Sequence, residues 1–156
     1  MICEPGSRAA LPDVLDLFHR SRALRDDDPA QSVELARRAA DLAEALDQEL
    51  LGSDEVADLQ ARAWMEVGDA YRAAGDLFAA EATFAHATVV RREGTGDPLL
   101  RALLLEHRAA LFSELGRAAE AQAFLETARQ AYAEAGDRRL AGRILKTGFG
   151  RRPSAA

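Results

Sequence analysis

Cysteine is nearly missing from this chain. Cys3 stands alone, so no internal disulfide can close and no cysteine-based zinc site can form. It sits beside Pro5, Gly6 and Ser7, in a stretch over 1–10 that reads as a loose tail. Lysine is as scarce, Lys146 being the only one, and arginine carries nearly all the positive charge. That charge is outnumbered: 20 Lys and Arg face 26 Asp and Glu, for a net charge of −6. A general nucleic-acid binder needs a basic footprint to displace counterions, and this balance argues against one. Long apolar runs are absent too. The run through Ala102, Leu103, Leu104 and Leu105 is far too short to cross a bilayer. Glu4, Pro5 and Asp13 follow Met1 where a secretory leader would have a basic start and an apolar core. A cytoplasmic protein without membrane contact is the expectation.

What the chain does have is helix-forming residues in helical register. At 156 residues, 48% apolar and 29% charged, it has the balance of one soluble globular domain. Alanine, leucine, arginine and glutamate recur with apolar spacings of three and four, and no stretch alternates as a half-buried strand does. Breaks fall at Asp28-Pro29, Gly52-Ser53, Gly75-Asp76, the Gly94 to Pro98 stretch, Gly116 and Gly136-Asp137. Each pairs a helix stop with a capping residue or an early proline. Cutting there predicts seven helices, over 11–26, 29–49, 54–74, 77–93, 98–115, 118–135 and 138–147. The connections are short, so neighbours should pack as antiparallel hairpins. Charge is uneven along the chain, with Asp26, Asp27 and Asp28 early and six basic residues from Arg138 to Arg152 late.

Internal repetition sharpens this. Trp64, Val67-Gly68, Tyr71, Gly75-Asp76, Ala80, Phe84 and Ala87 follow one another across a helix, a turn and a second helix. A second copy runs in phase: Leu105, Ala109, Phe112, Gly116, Ala121, Leu125 and Ala128. Arg108 stands in this copy where Val67 stands in the other, and Gly116 lies 41 residues after Gly75. A fainter copy places Leu17, Ser21, Leu24, Ser32, Ala36 and Ala39. In this pattern the chain resembles the tetratricopeptide repeat (TPR) family, over roughly 13–149 and most specifically over 61–91. The family's closing proline is missing, its place taken by Arg92, and the 41-residue step exceeds the usual length of about 34. The resemblance implies an all-α fold, a TPR-like superhelix of antiparallel hairpins: three hairpins over 11–149 plus a C-terminal capping helix, with a second tail over 150–156. Gly68 and Ala80 should be small because two helices cross there, with Trp64, Tyr71 and Phe84 filling the core around them.

Little in the chain suggests chemistry. His19, His86 and His107 have no His or Cys one helical turn away, so none stands in metal-ligand spacing. Gly94-Thr95-Gly96 lacks the downstream Gly-Lys-Ser/Thr of a phosphate loop and reads as a turn between helices. Ser53 reads as a helix cap before Asp54-Glu55, and no serine sits in a nucleophile elbow. No enzymatic activity, metal or cofactor is expected. In this family the first helix of each hairpin lines a concave groove. That implies a binding surface of Arg62, Met65, Asp69 and Arg72, beside Ala73, on one helix. The next such helix would add Leu103, Glu106, Ala110 and Glu114, following Leu99. Packing of Leu99 and Leu103 on a neighbouring helix, with the charges merely solvated, is the competing reading. The lysine and asparagine residues with which some family members clamp a chaperone's C-terminal carboxylate are absent from these stripes. The expected function is a protein-interaction module for an unknown protein or peptide. A sensor segment of a larger regulator and a homodimer or other homo-oligomer joined through an open end are the alternatives. Reversing Arg62 and Arg72 to glutamate should then weaken binding and leave melting unchanged.

Overall fold

The computed structural model describes residues 6–136, with side chains from residue 11 onward. The expected seventh helix over 138–147, its capping role, and the tail over 150–156 lie outside the described residues. Within them the protein is all-helical. Six long helices are α1 (Gly6–Ala23), α2 (Pro29–Glu44), α4 (Ser53–Ala73), α5 (Leu77–Arg91), α6 (Pro98–Glu114) and α7 (Ala118–Glu134), and α3 (Gln48–Leu51) is a single turn. The chain divides into two compact units, one ending at Gly96 and the other starting at Asp97.

Local chemistry sets most boundaries. Asp28, Asp76 and Asp97 cap α2, α5 and α6, accepting from the backbone N–H of Gln31, Ala79 and Leu99 at 3.1, 3.0 and 2.9 Å. Pro29 and Pro98 open their helices, where the missing N–H costs nothing. Gly75 and Gly116 adopt φ of 83° and 74° just past helix ends. There the N–H of Asp76 reaches the Tyr71 carbonyl at 3.0 Å, and that of Arg117 reaches Phe112 at 2.9 Å. These six-to-one bonds are the Schellman closure, which needs a left-handed residue at that point.

Several boundaries differ from expectation, and α1 ends at Ala23 instead of 26. α1 begins at Gly6, inside the stretch expected as a tail. α2 stops at Glu44 instead of running to 49, because the Asp47 carboxylate takes the amides of Glu49 and Leu50 at 2.9 and 3.2 Å and starts α3. Ser53 is the first residue of α4 and not its cap: Gly52 holds the cap position, and the Ser53 hydroxyl turns to Asp54 at 3.1 Å.

The first unit packs α1 on α2, α2 on α4, and α4 on α5. Its core gathers Val14, Leu17 and Phe18 with Leu35, Ala36 and the alanines of α2, and with Val56, Ala63, Val67 and Ala70 of α4. Close crossings use small residues. At α1–α2 the buried Ser21 and Ser32 exchange hydrogen bonds, each hydroxyl donating to the other's carbonyl at 2.8 Å. At α4–α5 a Cβ on Gly68 would stand 2.6 Å from the fully buried Phe84 ring. Trp64 is only half-buried. Its indole donates to the Glu44 carboxylate at 3.0 Å and meets the His86 ring edge-on at 4.9 Å. After α5, Gly94 lies against the Asp58 carboxylate, which accepts from the N–H and hydroxyl of Thr95.

The second unit, as far as it is described, packs α6 on α7. Tyr132, fully buried, joins Ala102, Ala128 and Ala131 under Leu103, Leu105 and Leu125. Nearby Phe112 meets Phe124 edge-on at 5.0 Å. Arg108, where the other repeat has Val67, lays its guanidinium 4.5 Å from the Phe124 centroid. The arginine's stem and cation thus serve a position that an apolar side chain fills elsewhere.

Candidate interaction surface

Charge on the inward row of α4 is organised by α1. Arg22 lies in the last turn of α1 and Arg25 in the turn that follows it, while Glu66 and Asp69 stand three residues apart on one face of α4. Arg22 grips Glu66 with both Nε, at 3.0 Å from Oε2, and Nη2, on Oε1. Arg25 bridges the acids, with Nη2 3.3 Å from Glu66 Oε2 and Nη1 on Asp69 Oδ2. Arg72, one turn on, closes the row with Nε and Nη2 at 2.9 and 2.8 Å from Asp69 Oδ1.

Burial is graded through this cluster. The carboxylate side chains are 3% and 4% exposed, while Arg22 above them is 41% exposed. Solvent therefore meets guanidinium, with the acids beneath it. Three cations over two anions leave one positive charge, and the exposed Arg62, one turn before Glu66, adds another. Arg62 makes no ion pair among the described residues. The hydrogen bond that Arg22 donates to Glu66 holds its guanidinium above its ordinary pKa, against the lowering effect of burial. Arg25 Nε is buried without an acceptor, a cost of about 1–3 kcal/mol that the ion pairs around it must exceed.

The residues expected to line a groove therefore separate. Arg62 is exposed and Arg72 half-buried. Met65, expected as the apolar centre of an open stripe, is 2% exposed, so it offers a partner almost no surface. Asp69 is also buried, and its carboxylate is engaged by Arg25 and Arg72. In the second unit Leu103 packs on the Tyr132 cluster, as the competing reading has it. Glu106 accepts a hydrogen bond from the Tyr132 hydroxyl. Ala110 is half-buried, and Glu114 and Leu99 are exposed. The α4 residues belong to the first unit and the α6 residues to the second.

Sequence reasoning missed Glu66, Arg22 and Arg25. The pairing spans 44 residues, and the α1 repeat is the faintest of the three. One signal was present: Glu66 is the lone acid in the Ala63 to Gly68 run, whose neighbours are apolar. A charge in such a run needs a partner on a facing helix. His19 and His86 are exposed and His107 half-buried.

No protein-family model, no curated protein and no solved structure matches this chain.

Proposed function

We propose that the chain is a protein-interaction module of the TPR kind, and that the α1–α4 face of its first unit is where a partner docks. The observation that carries this reading is the guanidinium layer of Arg22, Arg25 and Arg72 over buried Glu66 and Asp69, flanked by exposed Arg62. Bidentate pairing fixes these side chains before a partner arrives, so little rotamer entropy remains to be lost on docking. Arginine so held offers planar donors to carboxylate or carbonyl oxygens while its stem covers apolar surface. The repeat register supports the family assignment. Gly68 sits where α4 and α5 cross, Gly75 where the turn needs a left-handed residue, and Asp76 where α5 needs a cap. The partner would be a peptide or protein surface carrying acidic groups.

The test uses the full chain as bait in native lysate, beside an Arg62→Glu bait of equal thermal stability. A charge at the edge of an interface acts mainly on encounter rate and register. Partners of this face should be recovered by the wild type and bind the variant about threefold to tenfold more weakly. A partner set that binds both baits equally would remove the α1–α4 face from the account.

A further inference from the structure

A guanidinium has two forks in one plane. Its side-on edge carries the Nε–H and one Nη2–H, and its end-on edge carries the other Nη2–H and one Nη1–H. In Arg22 the buried Glu66 takes the side-on edge, with Nε 3.0 Å from Oε2 and Nη2 on Oε1. The end-on edge has no partner among the described residues, and the side chain is 41% exposed. The neighbouring cations are placed differently. Arg25 spends its end-on edge on Asp69 and Glu66 and is only 18% exposed. Arg72 gives its side-on edge to Asp69 and is 24% exposed. Arg62 is exposed, but it pairs with no acid among the described residues that would fix its orientation. Arg22 is thus both held from beneath and open above.

We infer that Arg22 is the specificity-determining residue of the docking face, and that its end-on fork reads a side-chain carboxylate of the partner, an Asp or a Glu. The inference rests on the α1–α4 face being where the partner docks. Glu66 on one edge and the partner's carboxylate on the other share the guanidinium plane, each held by two hydrogen bonds. Two properties select a carboxylate. It is planar with two acceptor oxygens, which matches the fork, and it carries a single negative charge. Three arginines over two acids leave a single positive charge, which one carboxylate neutralises. A phosphoryl group carries a charge of about −1.5 to −2. It would leave negative charge above Glu66 and Asp69, which are buried and cannot move away from it. Arg62 steers encounter without reading shape, because an unfixed charge at the edge of an interface acts on the rate.

Selection of a random peptide display library on the full chain tests this, the peptides' C-termini being fused so that only side chains supply carboxylates. The wild type should enrich peptides with an Asp or Glu at a fixed position. Changing that residue to Asn, Gln or phosphoserine should weaken binding at least about tenfold, the loss of a charge-assisted hydrogen bond. Arg22→Lys keeps the charge over Glu66 but loses the fork, and should bind the selected peptides at least about tenfold more weakly. Arg62→Lys keeps the steering charge and should bind within about twofold of the wild type. A measurement on the unaltered chain stands beside the variants: the NMR resonance of the Arg22 Nε–H should shift as a selected peptide is added. Peptides that enrich without an acid, that tolerate Arg22→Lys, or that leave the Arg22 resonance unmoved overturn the inference. If they still weaken with Arg62→Glu, the docking face itself stands. Failure to enrich, or indifference to Arg62→Glu as well, overturns the face along with the inference.

Discussion

At the scale of single residues, two arginines that look alike in the sequence have different duties. Arg62 is exposed and unpaired among the described residues, whereas Arg72 holds the buried Asp69 carboxylate. The expectation that both could be reversed without loss of stability is therefore kept for Arg62 and given up for Arg72. Arg62→Glu should change stability by less than about 0.5 kcal/mol. Arg72→Glu would set a third acid beside Asp69 and Glu66. It should cost about 2–3 kcal/mol, short of the full penalty for breaking a buried pair because Arg25 remains. Urea melts of the two variants decide this, and equal midpoints would mean that Arg72 does not hold the cluster together. Gly68→Ala sets an overpacking cost of about 1–3 kcal/mol against a helix-propensity gain of about 1 kcal/mol. Phe84 is fully buried and has nowhere to move, so the loss should prevail, by about 1 kcal/mol. A stabilised Gly68→Ala protein would show that the crossing can relax. Trp64, half-buried and held at its edge by Glu44, should cost less on truncation than the 3–5 kcal/mol of a fully buried tryptophan, about 2 kcal/mol.

At the scale of helices, the chain's own punctuation was most readable where one residue does one local job. Asp28-Pro29, Gly75-Asp76 and Gly116 marked boundaries because capping and left-handed turns depend on the residue standing there. The end of α2 was hidden because Asp47 lies inside a run that remains helical by composition, and only its carboxylate's choice of amides breaks the helix. Ser53 misled for the same kind of reason. It is a good cap by type, but Gly52, at φ 93°, already makes the turn. The crossing at Gly68 was legible because its small residue recurs in register. The ion cluster was not, because no periodicity within one helix reports which charges face each other across two. Asp76→Ala should therefore cost about 1 kcal/mol through the lost α5 cap, seen as a lower melting temperature with unchanged helicity at 20 °C. An unchanged melt would mean that packing alone fixes the start of α5.

At the scale of the whole molecule, each unit keeps its polar side chains for a different purpose. In the first, arginines of α1, of the turn after it and of α4 cover two buried acids and make an ordered basic face on an otherwise acidic protein. In the second, Arg108 and Arg117 lie over the Phe124 and Phe112 rings, and Glu106 takes the Tyr132 hydroxyl. Docking of a partner on the first of these faces is open to hydrogen exchange of the full chain, alone and with a captured partner. New amide protection should then concentrate in Gly6–Ala23 and Ser53–Ala73, and should fall when the bait carries Arg62→Glu. Protection confined to Leu77–Arg91 or to Ala118–Glu134, with α1 and α4 exchanging as in the free protein, would contradict it.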